Sequence, residues 1–425
     1  MMVDKLRVRV YNVRFGDAIL VTVPEQGDGG GTEIRHILFD VGNAKASKQG
    51  GEGHDDRVFA PVVRDIVHEL DGRPLDLYVM THEHWDHVQG LPYADEHVFP
   101  NEDLKALLQV QHSWFSGSAA PNYYETHPDA EKALAGVDEV YAQLESLWRA
   151  DPKQADDPFA DVLMINNNRN ATAFYVDRLR LLAGEAHTHY VHRPRPGHPE
   201  DSLEGKHPFQ ELRLSLWAPE EDTADYFSSL QPMALNVTPG ETAEDEPALT
   251  RVFPPAGVDA GAFYDLVSSR QGTFLDNLLA IDKAKNNTSL VLLLEWRGWK
   301  LLFPADAERK SWRMMDQHHQ LQEVHFLKVS HHGSHTGMPP AEMLDQLLPG
   351  EGQVASDGRP RYAVVSTAPQ TYSSVPDPDT LAELRGRCTL YSTKEDVEDA
   401  GHLYIDLEFE GEGTIVNVHV GGSPA

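Results

Sequence analysis

The sequence predicts an α/β protein. Three observations carry that expectation: β-branched, alternating runs open the chain, a short apolar strand runs straight into a histidine cluster, and strand-like and helix-like segments alternate through the last third. The 425 residues allow two or three domains of roughly 100–200 residues, or one large α/β domain carrying insertions.

In chain order, LRVRVYNVRFGDAILVTVP alternates apolar and polar side chains, breaks at Phe15-Gly16-Asp17 and resumes, which predicts a β-hairpin with a tight turn. A Gly-rich loop from Gly27 to Gly31 leads to a third strand, IRHILFDVGN, ending in Asp40 and Gly42. Val58 to Leu70 has helical spacing, and Leu75 to Met80 is a short apolar strand. Pro128 fits a helix start, and Leu134, Val137, Tyr141, Leu144 and Trp148 then mark one face of an amphipathic packing helix. From about 151 to 285 only FQELRLSLWAP reads clearly as a strand. His187, His189, His192, Arg193, Arg195, His198, Lys206 and His207 make a basic loop, and Glu220, Glu221, Asp222, Glu241, Glu244, Asp245 and Glu246 mark an acidic one. In the last third, NNTSLVLLLEW, KLLFPAD, AERKSWRMMDQHH, VHFLKVSHHGSH, PPAEMLDQLL and RYAVVSTA predict strands and covering helices with parallel pairing, so ligands should gather beyond the carboxyl ends of strands.

Composition narrows the function. Lys plus Arg number 36 against 67 Asp plus Glu, a formal charge of -31, which argues against whole-surface attraction to nucleic acid or anionic membrane. Cys388 is the single cysteine, so an internal disulfide and any multi-cysteine metal site are excluded. A metal here must be held by imidazole and carboxylate. No apolar stretch approaches the roughly 18 residues of a membrane helix, and MMVDKLRVRV lacks the apolar core of an export signal. A cytoplasmic location is the default expectation.

Thr81-His82-Glu83-His84-Trp85-Asp86-His87 carries the strongest chemical signal. In an extended stretch, residues two apart share a side, so His82 and His84 can close on one cation while Asp86 and His87 turn towards a second. So many ionisable groups at one strand end repel one another unless a metal neutralises them. Further ligands should come from distant strand ends: Asp306 follows KLLFPA, and His331 and His332 end VHFLKV. Asp40 is placed to brace the Thr81 loop or to accept a hydrogen bond from a ligand imidazole.

These motifs resemble the metallo-β-lactamase superfamily, most closely the branch containing the soluble domain of competence DNA-uptake proteins. The resemblance rests on FGDAILV, LFDVGN, THEHWDH, NNTSLVLLL, PAD, LKVSHHGS and AVVST, in that order, and covers about residues 4 to 99 and 209 to 420, less the acidic loop. It implies one αββα four-layer sandwich over residues 1–425, with a largely helical insertion at about 100–208 and a loop-rich one at about 220–285. It also implies that His82 and His84 hold one metal, that Asp86, His87 and His332 hold another, that Asp306 bridges them, and that His331 lies near the substrate. The superfamily's third histidine for the first metal has no counterpart, because that place reads Asn286-Asn287; His187 and His189 are rivals for the role. The branch's Asn-x-Tyr-Gly-His-Pro run reads QTYSSVP here, Gln370 to Pro376, without its histidine, and its membrane-spanning part has no counterpart.

A pair of divalent ions, zinc by ligand type and manganese as the alternative, implies hydrolysis. Asp86 would serve as ligand and orienter of the attacking solvent, and His331 or His335 would steady an oxyanion or protonate the leaving group. The favoured expectation is a phosphodiesterase or nuclease-like enzyme acting on a phosphodiester, nucleotide or nucleic acid, with short or single-stranded substrates preferred on charge grounds. The alternatives are a lactone, thioester or β-lactam hydrolase, and a metal-poor regulatory binding module.

Overall fold

A computed structural model describes residues 5–27, 29–45, 53–150, 158–227, 271–350, 352–368 and 375–423. The acidic run 241–246 and residues Gln370 to Ser374 of the QTYSSVP segment lie outside them. The strands of the first half are β1 (Lys5–Tyr11), β2 (Ile19–Gln26), β3 (Thr32–Phe39), β4 (Leu77–Met80), β5 (His112–Ser116), β6 (Thr188–Val191) and β7 (Arg213–Ala218). Those of the second half are β8 (Val291–Trp296), β9 (Trp299–Phe303), β10 (Phe326–Lys328), β11 (Tyr362–Val365), β12 (Thr389–Ser392), β13 (Tyr404–Glu410) and β14 (Val416–Gly421).

They form two sheets, one of eight strands in the order β14-β13-β1-β2-β3-β4-β5-β6 and one of six in the order β12-β11-β10-β9-β8-β7. Each sheet is antiparallel on one side and parallel on the other: β3 to β6 run parallel in the first, β9 to β12 in the second. The alternation in the last third therefore pairs as its sequence predicts, except that β8 and β9 are an antiparallel hairpin. Its turn is Arg297-Gly298, both at positive φ, which matches the right-handed twist of the flanking strands.

Period-two patterning decides which face each strand buries. Val8, Val10, Val21, Ile37 and Phe39 of the first sheet pack against Leu292, Leu294, Leu301, Phe303 and Phe326 of the second, with Phe39 and Phe303 stacked at 4.8 Å. The opposite face of the first sheet, Leu20, Leu38, Tyr78 and Met80, lies under the helix His54–Leu70, which buries Phe59, Val62, Val63 and Ile66. The outer face of the second sheet, Leu293, Leu302, Leu327 and Ala363, packs with Trp312, Met315, Leu344 and Leu384 of its own helices. Burying each such side chain contributes about 1.5–3 kcal/mol.

The stretch 100–208, expected as an insertion, supplies β5 and β6 to the first sheet, with helices Pro128–Ala150, Pro158–Asn166 and Arg169–Leu179 between them. The stripe of the 128–150 helix is buried at Leu134, Val137 and Leu144 and half-buried at Tyr141 and Trp148, as a packing face should be. Its partners include Leu163, Leu278 and Ile281, the last two from a helix at Gln271–Asn286 where the sequence suggested loop. Among the described residues no helix is long and apolar enough to cross a membrane.

The hairpin prediction needs one correction. β1 and β2 do pair antiparallel, Arg7 opposite Thr22, but the connection 12–18 is a broad loop and not a tight turn. Its residues are held by the histidine cluster: Asp17 N donates to Asp86 O at 3.3 Å, and a Cβ on Gly16, whose φ is 151°, would stand 2.3 Å from Gly42 O and 2.6 Å from Asp86 O.

Candidate metal centre

Every predicted ligand lies just beyond the carboxyl end of a strand. β4 ends at Met80, and Thr81 starts the loop that carries His82, His84, Asp86 and His87; β9 ends before Asp306 and β10 before His332. Because the sheets pack face to face, these three ends converge. The groups Asp86, His87, Asp306, His332 and His82, His84, Asp86 each have ligand atoms within 4.8 Å of one another, so either group could hold a metal ion. Asp86 is common to both, whereas the resemblance implies Asp306 as the bridge.

Distances in the first group suit a small cation. His87 Nε2 lies 3.3 Å from Asp306 Oδ2 and 3.7 Å from Asp86 Oδ1, and His332 Nε2 lies 3.4 Å from Asp86 Oδ2 and 3.4 Å from Asp306 Oδ2. Tetrahedral ligands at about 2.0–2.2 Å from zinc stand roughly 3.3–3.6 Å apart. All six side chains are at most 2% exposed. Nε2 of His82, both ring nitrogens of His84, both oxygens of Asp86, Oδ1 of Asp306 and Nε2 of His332 are nevertheless buried without a hydrogen-bond partner. Buried polar atoms are ordinarily paired, so this concentration of unpaired donor atoms fits a cation.

The outer nitrogens explain which inner ones are free. His87 Nδ1 donates to Asp40 Oδ2 at 2.8 Å, His332 Nδ1 donates to Ser366 O at 3.0 Å, and His82 Nδ1 lies 3.1 Å from Thr81 Oγ1. Thr81 Oγ1 itself donates to Asp40 Oδ2 at 2.6 Å, and Thr81 N donates to Asp40 Oδ1 at 2.8 Å. Asp40 thus braces the loop and orients His87 at once. Such contacts fix the tautomer and leave Nε2 facing inward.

Backbone conformation does the rest. Asp40, Ala305, His331 and His332 all have φ between 43° and 53°, a left-handed region that costs non-glycine residues about 1–3 kcal/mol each. His331 N and Ser330 Oγ both donate to Ala305 O, at 3.1 and 3.0 Å, which ties the turn after β10 to the one after β9. Gly42 is required by contact: a Cβ there would meet Asp86 C at 2.2 Å. Phe15 packs on the His332 ring at 4.2 Å.

Electrostatically the two groups differ. Burial, helped by neighbouring imidazoles, pushes His82 far down, and burial pushes His84 down to about 3, so both are neutral. Burial also opposes charge on His332, but Asp306 and Asp86 outweigh it and raise the ring to about 10. His87 is raised by Asp306, Asp86 and Asp40 in the same way. The carboxylates demand positive charge on this side.

His331 turns away from the cluster. Its Nδ1 donates to the buried Glu308 carboxylate at 2.7 Å, and its Nε2 lies 3.3 Å from Asn286 Nδ2 and 3.7 Å from Asp282 Oδ2. Against burial, Glu308 holds the ring up at about 9. Of the paired histidines, His332 therefore faces the donor cluster and His331 stands beside it.

The Asn pair divides. Asn287 is a brace, its Nδ2 bonded to Lys283 O and its Oδ1 accepting from Ser311 N and Oγ. Asn286 Nδ2 also meets Asp282 Oδ2 at 3.2 Å, while its Oδ1 is buried and unpaired. It lies in the turn whose Leu290 N donates to Thr81 O.

Other sequence candidates stand outside the two donor groups. His187 and His189 do not complete the His82 and His84 group: they cluster with His112 near the amino ends of β5 and β6, away from the ends that carry the ligands. The basic loop is likewise spent on carboxylates, Arg195 on Asp201 and Arg193 on Glu220. His335 is an exposed side chain accepting from Arg309 at 2.8 Å, outside both groups. Conversely, Glu308, Asp282 and Asn166, whose Oδ1 accepts from Asp86 N at 3.2 Å, carry no signal in the sequence. No protein-family model matches the chain, and no curated protein does.

Proposed function

We propose that the chain is a metal-dependent hydrolase of the metallo-β-lactamase type, acting on phosphodiesters. The observation that carries this reading is the convergence of six buried imidazoles and carboxylates, five of which present inward atoms without hydrogen-bond partners. The layering of helix, sheet, sheet and helix, with the donors at strand ends of both sheets, supports the same family reading. His87, His332, Asp86 and Asp306 would hold one ion, and His82, His84 and the shared Asp86 the other, zinc being favoured by this ligand set. Cations bound there supply Lewis acidity and make water a better nucleophile at neutral pH.

The chain's own groups do the remaining work. Asp40 fixes His87 and the loop, so the donors are set before any substrate arrives. His331, gripped by Glu308 through Nδ1 and facing Asn286 and Asp282 through Nε2, stands beside the donors as the candidate proton source for a leaving oxygen. Burial of all six side chains excludes bulk water, which strengthens each electrostatic contact. The preference for phosphodiesters over lactones, thioesters or β-lactams rests on the resemblance of the ordered motifs.

The test is turnover of bis-p-nitrophenyl phosphate, single-stranded DNA and RNA, with an ester panel alongside, in zinc or manganese. Wild type should hydrolyse a phosphodiester, and Asp86→Ala with His87→Ala should be inactive. Equal rates in the two proteins would end the proposal. The unfilled third-imidazole position favours one other reading, a binding module carrying a partial centre; near zero bound zinc after metal reconstitution would support it.

A further inference from the structure

Beside the His82 and His84 side lies a recess that ligation alone does not explain. His82, Glu83 and His84 line it, together with Arg169 from the helix Arg169–Leu179 and Lys285 from the helix Gln271–Asn286. Two cations and one carboxylate therefore line this space. Hydroxyls of Ser118 and Tyr124 add hydrogen-bond donors, while that of Thr288 donates to Lys285 O at 2.7 Å. Arg169 meets Asp138 through one nitrogen at 3.3 Å, and its side chain is 41% exposed. Lys285 Nζ donates to Asn167 O at 2.6 Å. Neither cation bonds a donor side chain, and in a strongly acidic chain the pair offsets Glu83 and the Asp138 that meets Arg169 at a recess shared with His82 and His84.

The space open to the centres of water-sized atoms is about 30 Å³. That admits a few oxygen-sized atoms, so the recess suits the tip of a ligand and not a strand passing through. A guanidinium offers a fork of N–H donors and an ammonium a compact charge, which together suit a phosphate.

We propose that Arg169 and Lys285 recognise a terminal phosphate of the substrate, which directs the centre to small or end-phosphorylated phosphodiesters. The assignment of the reacting bond rests on the hydrolase reading; the anion site stands on its own residues.

Isothermal titration with inorganic phosphate tests it on the full chain, in chelator-treated and zinc-loaded forms, with acetate as the carboxylate control. Phosphate should bind the chelator-treated wild type more tightly than acetate does. Arg169→Gln and Lys285→Met should each weaken it at least tenfold, and Lys285→Arg should restore most of the loss. Circular dichroism and thermal melting report whether each variant is folded, and Arg169→Gln, at a part-exposed position, keeps the test open should Lys285→Met not fold. Equal phosphate affinity in wild type and folded Arg169→Gln overturns the proposal, as does preference for acetate. Phosphodiester turnover with kcat and KM unchanged by these variants overturns it too and leaves the hydrolase reading standing. Phosphate binding that depends on Arg169 and Lys285, in a protein that cleaves no phosphodiester, overturns the hydrolase reading and leaves the anion site standing.

Discussion

Around His87 and His332, two imidazoles meet two carboxylates, Asp86 and Asp306, with Asp40 and Ser366 behind them. Around His82 and His84, two imidazoles meet Asp86 alone, and the buried Asn286 amide, with its oxygen unpaired, lies against His331. The first side is rich in negative charge and the second nearly neutral. Ions on the two sides should therefore differ in affinity and in the protons they displace. The carboxylate-rich side should fill first and release protons as it fills, because its imidazoles are held in the charged form by the same carboxylates that attract the metal.

The largest effect should come from the carboxylate-rich side. Asp306→Ala is expected to remove one equivalent of zinc, measured by elemental analysis, and to lower kcat/KM about 1000-fold, about 4 kcal/mol of barrier. Retention of two equivalents would break the comparison. The pH dependence is the next effect. His332, raised to about 10, must lose a proton to ligate, so affinity on its side should rise at least tenfold per pH unit from about 6 to 8, one proton released per imidazole. His84, pushed down to about 3, is already neutral there, so affinity on its side should stay nearly flat. Two parallel slopes in zinc titrations would contradict the assignment.

Smaller effects probe the supports. Asp40→Asn should weaken zinc on the His87 side by about 10–100-fold, as loss of a bond behind a ligand does, while His84→Ala lowers occupancy only on the other side. Asn286→Ala should change the weaker ion's affinity by about threefold to tenfold and leave the stronger one unaltered. An equal loss of both ions would show that the residue supports the whole turn and no single ion.

How much of this was legible varies with the kind of interaction. The loop from His82 to His87 announces itself because its residue types crowd into one place, and Asp306 and His332 follow from the rule that ligands sit beyond strand carboxyl ends. Sheet polarity also explains the failures: His187 and His189 have ligand chemistry but stand at the other ends of their strands. Glu308, Asp282 and Asn166 could not be read, since each reaches the centre through contacts with residues distant in the chain. Nor do four left-handed non-glycine residues leave a trace in composition, because the surrounding packing imposes them.

The recess has a kinetic corollary. Of the six donor residues only His82 and His84 line it, while His87, Asp306 and His332 are buried away from it, with Phe15 packed on the His332 ring. An ion on that far side escapes at the speed with which the packing around it opens, so its loss to a chelator should level off as chelator is added. The ion by the recess should go on leaving faster with dose.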